Sequence, residues 1–363
     1  MSAPIAKPGI LDISPYVGGE SDIPGVTRVI KLASNEGALG PSPKAMQAYT
    51  SQAETLHRYP DGSALQLRQA LAAAYGLDAE RIVCGAGSDE LLDMLARAYA
   101  GPGDEIMFSE HGFLMYPIAA NGVGATPVAV AEKNLTADVD ALLERACEKT
   151  KILYLANPNN PTGTYLPDSE IKRLRAGLPD HVLLVIDAAY AEYVNRNDYS
   201  PGSQMVDACD NVVMTRTFSK IHALGGLRLG WAYCPASVAD VLNRLRGPFN
   251  VASPALAAGL AALGDVAFTD AVRAHTATWL DWTRTQLIDL GIEVPSQVGN
   301  FVLARFPLDE NRSAGAASDF LKSRGIIVRA MAGYGLPDCL RITIGREDEM
   351  RPLMQALTEF MGQ

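Results

Sequence analysis

The sequence predicts an α/β protein: a large domain with a mostly parallel sheet flanked by helices, plus a smaller α+β domain. Two observations carry this. Between residues 81 and 234, short apolar runs rich in Val, Ile, Leu and Met alternate with longer stretches of helical periodicity. The C-terminal third breaks that rhythm. An Ala/Leu-rich helix over 254–262 and a long amphipathic helix over 269–290 precede short apolar runs near 301–306, 326–328 and 340–344.

The apolar runs of the first part are 81–84, 105–108, 126–130, 151–155, 182–186, 212–215 and 229–234, with helices such as 90–100 and 138–149 between them. Runs that lack polar alternation suit strands buried on both faces, the condition of a parallel sheet covered by helices. The first forty residues are rich in Gly and Pro with little periodicity, and are expected to cross the body and join the small domain. The expected organisation is an N-terminal segment over 1–44, a large domain over 45–255 and a small domain over 256–363. Ligands in such sheets bind outside the carboxyl ends of the strands.

Composition narrows the function. The chain has 363 residues, 48% hydrophobic and 20% charged, which is ordinary for a globular protein of two domains. A formal net charge of −10 argues against nucleic-acid or membrane-surface partners, which need a basic face. No apolar run is long enough to span a bilayer, and residues 1–8 lack the regions of a signal peptide. The cysteines, Cys84, Cys147, Cys209, Cys234 and Cys339, are scattered without a CxxC pair, as expected of reduced thiols in the cytoplasm. His57, His111, His181, His222 and His275 show no metal-ligand spacing, so no metal is expected.

Four polar motifs fall at ends of the apolar runs. Gly85-Ala86-Gly87-Ser88-Asp89-Glu90 lets the backbone approach a ligand, and the following helix offers free N–H groups to an anion. Ser88 or Asp89 is expected to cap that helix, and taken alone the segment also fits a plain capped turn. Glu90 replaces the third glycine of a dinucleotide fingerprint, which disfavours that reading. Asn157-Pro158-Asn159-Asn160-Pro161-Thr162-Gly163 is a turn rigid enough to present Asn160 as a donor. Asp187, at the end of the run 182–186, is a carboxylate that needs a cation if buried, with Tyr190 three residues on. Alone, it equally fits an N-cap. Finally, Thr217-Phe218-Ser219-Lys220 with Arg228 joins an amine to hydroxyls and a guanidinium. That set suits covalent attachment of an aldehyde cofactor whose phosphate the hydroxyls and guanidinium hold.

In this order, the motifs make the chain resemble the pyridoxal-phosphate-dependent aminotransferases of the aspartate aminotransferase fold type, fold type I. Within them it is most similar to those acting on histidinol phosphate. The resemblance runs from Tyr16 to about Gly345. Further marks are Ser34-Asn35-Glu36, Gly40-Pro41-Ser42-Pro43, Arg58-Tyr59-Pro60-Asp61-Gly62, Tyr334-Gly335-Leu336-Pro337 and Leu340-Arg341-Ile342-Thr343-Ile344-Gly345. The chain departs from the pattern at Gly37-Ala38, at Glu110-His111-Gly112 and over 221–226.

The resemblance implies pyridoxal 5'-phosphate as cofactor. Lys220 would bond it covalently and then shuttle a proton. Asp187 would meet the pyridinium nitrogen, and Tyr190 and Asn160 the phenolic oxygen. Gly87, Ser88, Asp89, Thr217, Ser219 and Arg228 lie where the family grips the phosphate. Phe113 matches the aromatic stacked on the ring. Tyr59 matches a tyrosine that reaches the neighbouring subunit's phosphate, which implies a homodimer with shared active sites. Arg341, Arg329, Tyr16 and Asn35 match substrate contacts. The implied reaction is ping-pong transfer between a small-molecule amino donor and a 2-oxo acid, histidinol phosphate and 2-oxoglutarate first. The same scaffold also serves aromatic amino-acid or prephenate aminotransferases and decarboxylases of a phosphorylated amino acid.

Overall fold

Seven strands form the larger sheet, in the order Ile82–Gly85, Gly230–Tyr233, Val212–Thr217, Leu183–Asp187, Thr150–Ala156, Glu105–Ser109 and Thr126–Val130. The structure, a computed structural model, describes residues 4–16, 18–295 and 298–362. All neighbours in this sheet pair in parallel except Gly230–Tyr233, which is antiparallel to both of its partners. Successive residues of the central strands serve opposite faces. Leu153, Leu155, Leu184 and Ile186 pack into one core, while Ile152, Tyr154, Leu183 and Val185 pack into another. Helices Leu65–Tyr75, Asp168–Gly177 and Ser253–Leu263 close the first core, and Ser88–Tyr99, Met115–Gly122 and Ala236–Leu245 close the second. This is why the runs carry no polar alternation: both faces are dry. Truncating a fully buried member such as Leu184 to Ala would cost about 2–5 kcal/mol through the cavity left.

The smaller sheet has four strands, in the order Ile30–Leu32, Ile326–Ala330, Cys339–Thr343 and Phe301–Arg305. Ile30–Leu32 pairs in parallel with Ile326–Ala330, so the N-terminal segment completes a sheet made otherwise from the C-terminal third. Helices Ala314–Ser323 and Glu347–Met361 cover it, together with the end of Val266–Asp289. That last helix has 24 residues, a length of about 36 Å. It starts three residues before the sequence pattern suggests, just after Asp265, whose carboxylate takes the Lys44 ammonium at 2.9 Å. The helix expected over 138–149 is shorter, Val139–Arg145, because Thr150 Oγ1 and the Cys147 backbone form a turn that leads into the next strand.

The one antiparallel strand of the larger sheet brings a distant residue to the strand ends. Gly230 lies opposite both Gly85 and Thr217, at the carboxyl ends of their strands. The strand therefore begins at that edge, and Arg228, two residues earlier, is delivered there.

Candidate active site

The strand ends meet the smaller sheet at a cavity of about 360 Å³. Asp187 closes its floor. The carboxylate is 5% exposed and accepts the Tyr116 phenol at 2.9 Å and the Thr215 hydroxyl at 3.2 Å. Thr215 is the register partner of Asp187 on the next strand, and Thr217 lies on the same face two residues on. Arg216 points the other way and forms a buried ion pair with Glu192 at 2.7 Å. Burial, the dominant cause, raises the Asp187 carboxyl to about 6, with Asp89 adding repulsion and the hydroxyl donors opposing.

Lys220 lines the same cavity. Burial pushes its ammonium down to about 8, and the Arg341 guanidinium adds repulsion. An appreciable share of neutral amine near neutral pH is what a nucleophilic lysine requires. Its Nζ lies 5.6 Å from the Tyr190 ring centroid. Tyr190 accepts a hydrogen bond from Asn35 Nδ2 at 2.9 Å and packs edge-on against Phe301.

At one end, the helix Ser88–Tyr99 presents its N-terminus. The expectation that Ser88 or Asp89 caps it is corrected by the structure. The cap is Gly87, with φ of 88°, and the Ser88 and Asp89 side chains do not cap. Glu90 instead accepts the Ala86 N–H at 2.6 Å and fixes the loop. A Cβ at Gly87 would overlap Arg228 Nη2, and one at Gly230 would overlap Ser88 N. Glycine at both positions lets the guanidinium lie across the helix start. Arg228 bonds Ser219 Oγ and Asp89 Oδ2, both at 3.2 Å, and is about half exposed. Ser219 N bonds Thr217 Oγ1 at 3.1 Å. Guanidinium, hydroxyls and free helix N–H groups form an anion cradle.

The other end belongs to the smaller sheet and the N-terminal segment. Arg341 is buried, bonds Asn160 Oδ1 and Ala33 O, and leaves Nε without a partner among the described residues. Burial lowers its affinity for the proton. A buried guanidinium in the cavity wall is suited to an anionic ligand. Arg329, half-buried, donates to Gly18 O at 2.6 Å. Asn35 adopts a left-handed φ of 53° and meets Thr343 and Tyr190, tying this segment to both sheets.

Of the residues singled out from sequence, Tyr16, Asn35, Ser88, Asp89, Phe113, Asn160, Asp187, Tyr190, Thr217, Ser219, Lys220, Arg228, Arg329 and Arg341 line this cavity. Gly87 stands behind Arg228. Tyr59 is elsewhere: it is 82% exposed and stacks on Phe249 at 4.7 Å, outside its own chain's cavity. Asn160 offers its amide oxygen to Arg341 as an acceptor, leaving the amide N–H groups as its donors. Sequence reasoning missed Tyr116, Thr215, Glu36 and any role for Tyr334. The spacing of Tyr116 three residues after Phe113, and of Thr215 two before Thr217, was the available signal.

A buried carboxylate without a cationic partner among the described residues, an amine shifted toward neutrality and an anion cradle match the donor set that pyridoxal phosphate requires. Residues 27–357 match the family described as aminotransferase class I and II. The histidinol-phosphate aminotransferase of Paramagnetospirillum magneticum is 64% identical over 362 residues, covering all of both chains. That of Rhodospirillum rubrum is 60% identical, covering 99% of this chain and 97% of its own. Among solved structures, a histidinol-phosphate aminotransferase from Sinorhizobium meliloti in complex with pyridoxal-5'-phosphate superposes with a TM-score of 0.85. It is 29% identical and covers 91% of this chain and 90% of its own. An aspartate aminotransferase from Thermus thermophilus with maleate, 21% identical, shares the fold with a TM-score of 0.81, covering 92% and 91%.

Proposed function

The chain belongs to the class I and II aminotransferases, and from that premise we propose that it moves an amino group between histidinol phosphate and 2-oxoglutarate, a step of histidine biosynthesis, using pyridoxal phosphate. The observation that carries this is the cavity itself. It holds a nucleophilic lysine and a buried carboxylate, with an anion cradle at one end and two arginines at the other.

When bound, the cofactor supplies an electron sink for the substrate carbon that loses its proton. Lys220 would be the amine that holds it and, once freed, would take the proton from the substrate carbon as general base and deliver it as acid to the cofactor's C4′ carbon. Asp187 meets the pyridinium nitrogen as counter-charge. Tyr190 and Asn160 donate to the phenolic oxygen, and Phe113 covers the ring. Arg228, Ser219, Thr217 and the N–H groups at Ser88 and Asp89 hold the phosphate. Arg341 and Arg329 bind the anionic end of the substrate beside Tyr16 and Asn35.

The proposal includes a homodimer in which Tyr59 completes the partner's phosphate site, consistent with its exposure here. It also includes a cytoplasmic setting, in keeping with five unpaired cysteines. Mixing Lys220→Ala and Tyr59→Phe subunits should give hybrids with one intact site and activity above either parent. Assays with histidinol phosphate, phenylalanine and threonine phosphate, each with 2-oxoglutarate, test the substrate. Preference for histidinol phosphate is expected. Preference for phenylalanine would assign the chain to the aromatic aminotransferases, and carbon dioxide release from threonine phosphate to the decarboxylases.

A further inference from the structure

We propose that Tyr116 is a positioning residue that keeps the Asp187 carboxylate ionised and aimed at the cofactor's pyridinium nitrogen. This rests on the reading that Asp187 meets that nitrogen. The Tyr116 phenol donates to Asp187 Oδ2 at 2.9 Å, while Thr215 donates to Oδ1 at 3.2 Å, one hydroxyl to each oxygen. The Tyr116 ring is 1% exposed and cannot wander. It stacks on Tyr154 at 4.9 Å and meets Phe113 edge-on at 5.9 Å. Tyr154 in turn donates to Leu92 O at 2.7 Å, inside the helix whose N-terminus faces the cavity. One side chain therefore links the carboxylate, the ring-covering aromatic and the anion cradle.

The surroundings explain why a donor is needed. The backbone amide of Ala189 also favours the charged carboxylate, whereas Asp89 disfavours it. Tyr154, Tyr190 and Tyr199 lie close enough to feel its charge. None of these neighbours is a cation. Without the ligand, the hydroxyl and amide donors alone offset the cost of burying the charge. The Tyr116 phenol is itself held far above its ordinary range, by burial first and Asp187 second. It stays protonated, a donor at every working pH. Asp187, at about 6, stands at the edge of neutralisation near neutral pH. Removing the phenol takes away a charge-assisted hydrogen bond and raises that value further. More of the apoprotein then carries a neutral carboxyl at a given pH, and it binds a protonated pyridine less well.

The test is the dissociation constant of pyridoxal phosphate for the apoprotein, measured between about pH 5.5 and 8.5. Tyr116→Phe retains the ring stack. It should move the acid fall-off of affinity upward by about one pH unit, weakening binding about twofold at neutral pH and by nearly tenfold at about pH 5.5. In an Asp187→Asn background the same change should have no effect on the pH dependence. A purely structural tyrosine would instead give equal losses in both backgrounds. If Tyr116→Phe fails to fold, placing 3-fluorotyrosine at position 116 keeps the shape and makes the phenol a stronger donor. The fall-off should then move to lower pH. An unchanged fall-off with 3-fluorotyrosine, or with Tyr116→Phe while Asp187→Asn binds poorly, overturns the role of Tyr116 and leaves that of Asp187. Wild-type affinity in Asp187→Asn overturns both.

Discussion

The two ends of the cavity are built by different means. The end proposed for the cofactor is the work of adjacent strands in one sheet: Asp187 is the register partner of Thr215 and Thr217 that of Gly230, and Asp187 is 5% exposed. The end proposed for the substrate gathers residues from the N-terminal segment and the smaller sheet. There Tyr16 is 51% exposed, and Arg329 reaches the Gly18 carbonyl of the N-terminal segment. The difference teaches where rigidity is placed. Asp187 and Thr215 are register partners within the larger sheet, and Arg329 and Arg341 are register partners within the smaller one, so each end is rigid in itself and the span between them depends on how one sheet packs on the other.

The comparison can be broken by substitution at either end. The largest effect is expected at Lys220. Lys220→Ala should abolish turnover and the visible absorbance band of bound cofactor that borohydride removes. Persistence of that reducible band would place the covalent site elsewhere.

Asp187→Asn comes next. It keeps shape but loses charge, and kcat should fall by about 10² or more. The same change should stabilise the apoprotein. The folded carboxyl, raised to about 6 from 3.8, is favoured protonated. Its ionisation therefore costs stability, with no cost below the unfolded value and a full cost above the folded one. That cost is about 3 kcal/mol at neutral pH as an order of magnitude. The Tm of apo Asp187→Asn should exceed wild type at pH 7.5, and the gap should narrow as pH falls through about 6 toward about 4. An equal gap at both ends of that range would remove the linkage.

At the substrate end, smaller and selective losses are expected. Arg329→Ala should reduce kcat/KM for histidinol phosphate by about tenfold more than for glutamate, because a dianionic phosphate uses both arginines and a carboxylate is served by Arg341. Equal losses on both substrates would make Arg329 a tether for Gly18 and no discriminator. The smallest effect is expected at Glu90. Glu90→Gln keeps an acceptor for the Ala86 N–H at 2.6 Å, so cofactor affinity should change less than about threefold. A larger loss would show that the loop depends on the charge as well as the bond.

The sequence by itself determined the layered sheet, because apolar runs of strand length alternating with helical periods admit few other arrangements. It also determined which polar motifs fall at strand ends, where Asp187, Thr217 and Ser88 stand, since that follows from local order along the chain. It did not determine that Gly230–Tyr233 runs antiparallel, although that reversal is what brings Arg228 to Ser88 and Ser219. Nor did it reveal the hydroxyls on Asp187, the Asn160–Arg341 bond or the Arg216–Glu192 pair. Each joins side chains at least 24 residues apart, brought together by strand order or by the meeting of the two sheets. Local spacing fixes the face on which a side chain emerges. Only the closed structure fixes what stands opposite it, and burial then sets the charge states on which the chemistry depends.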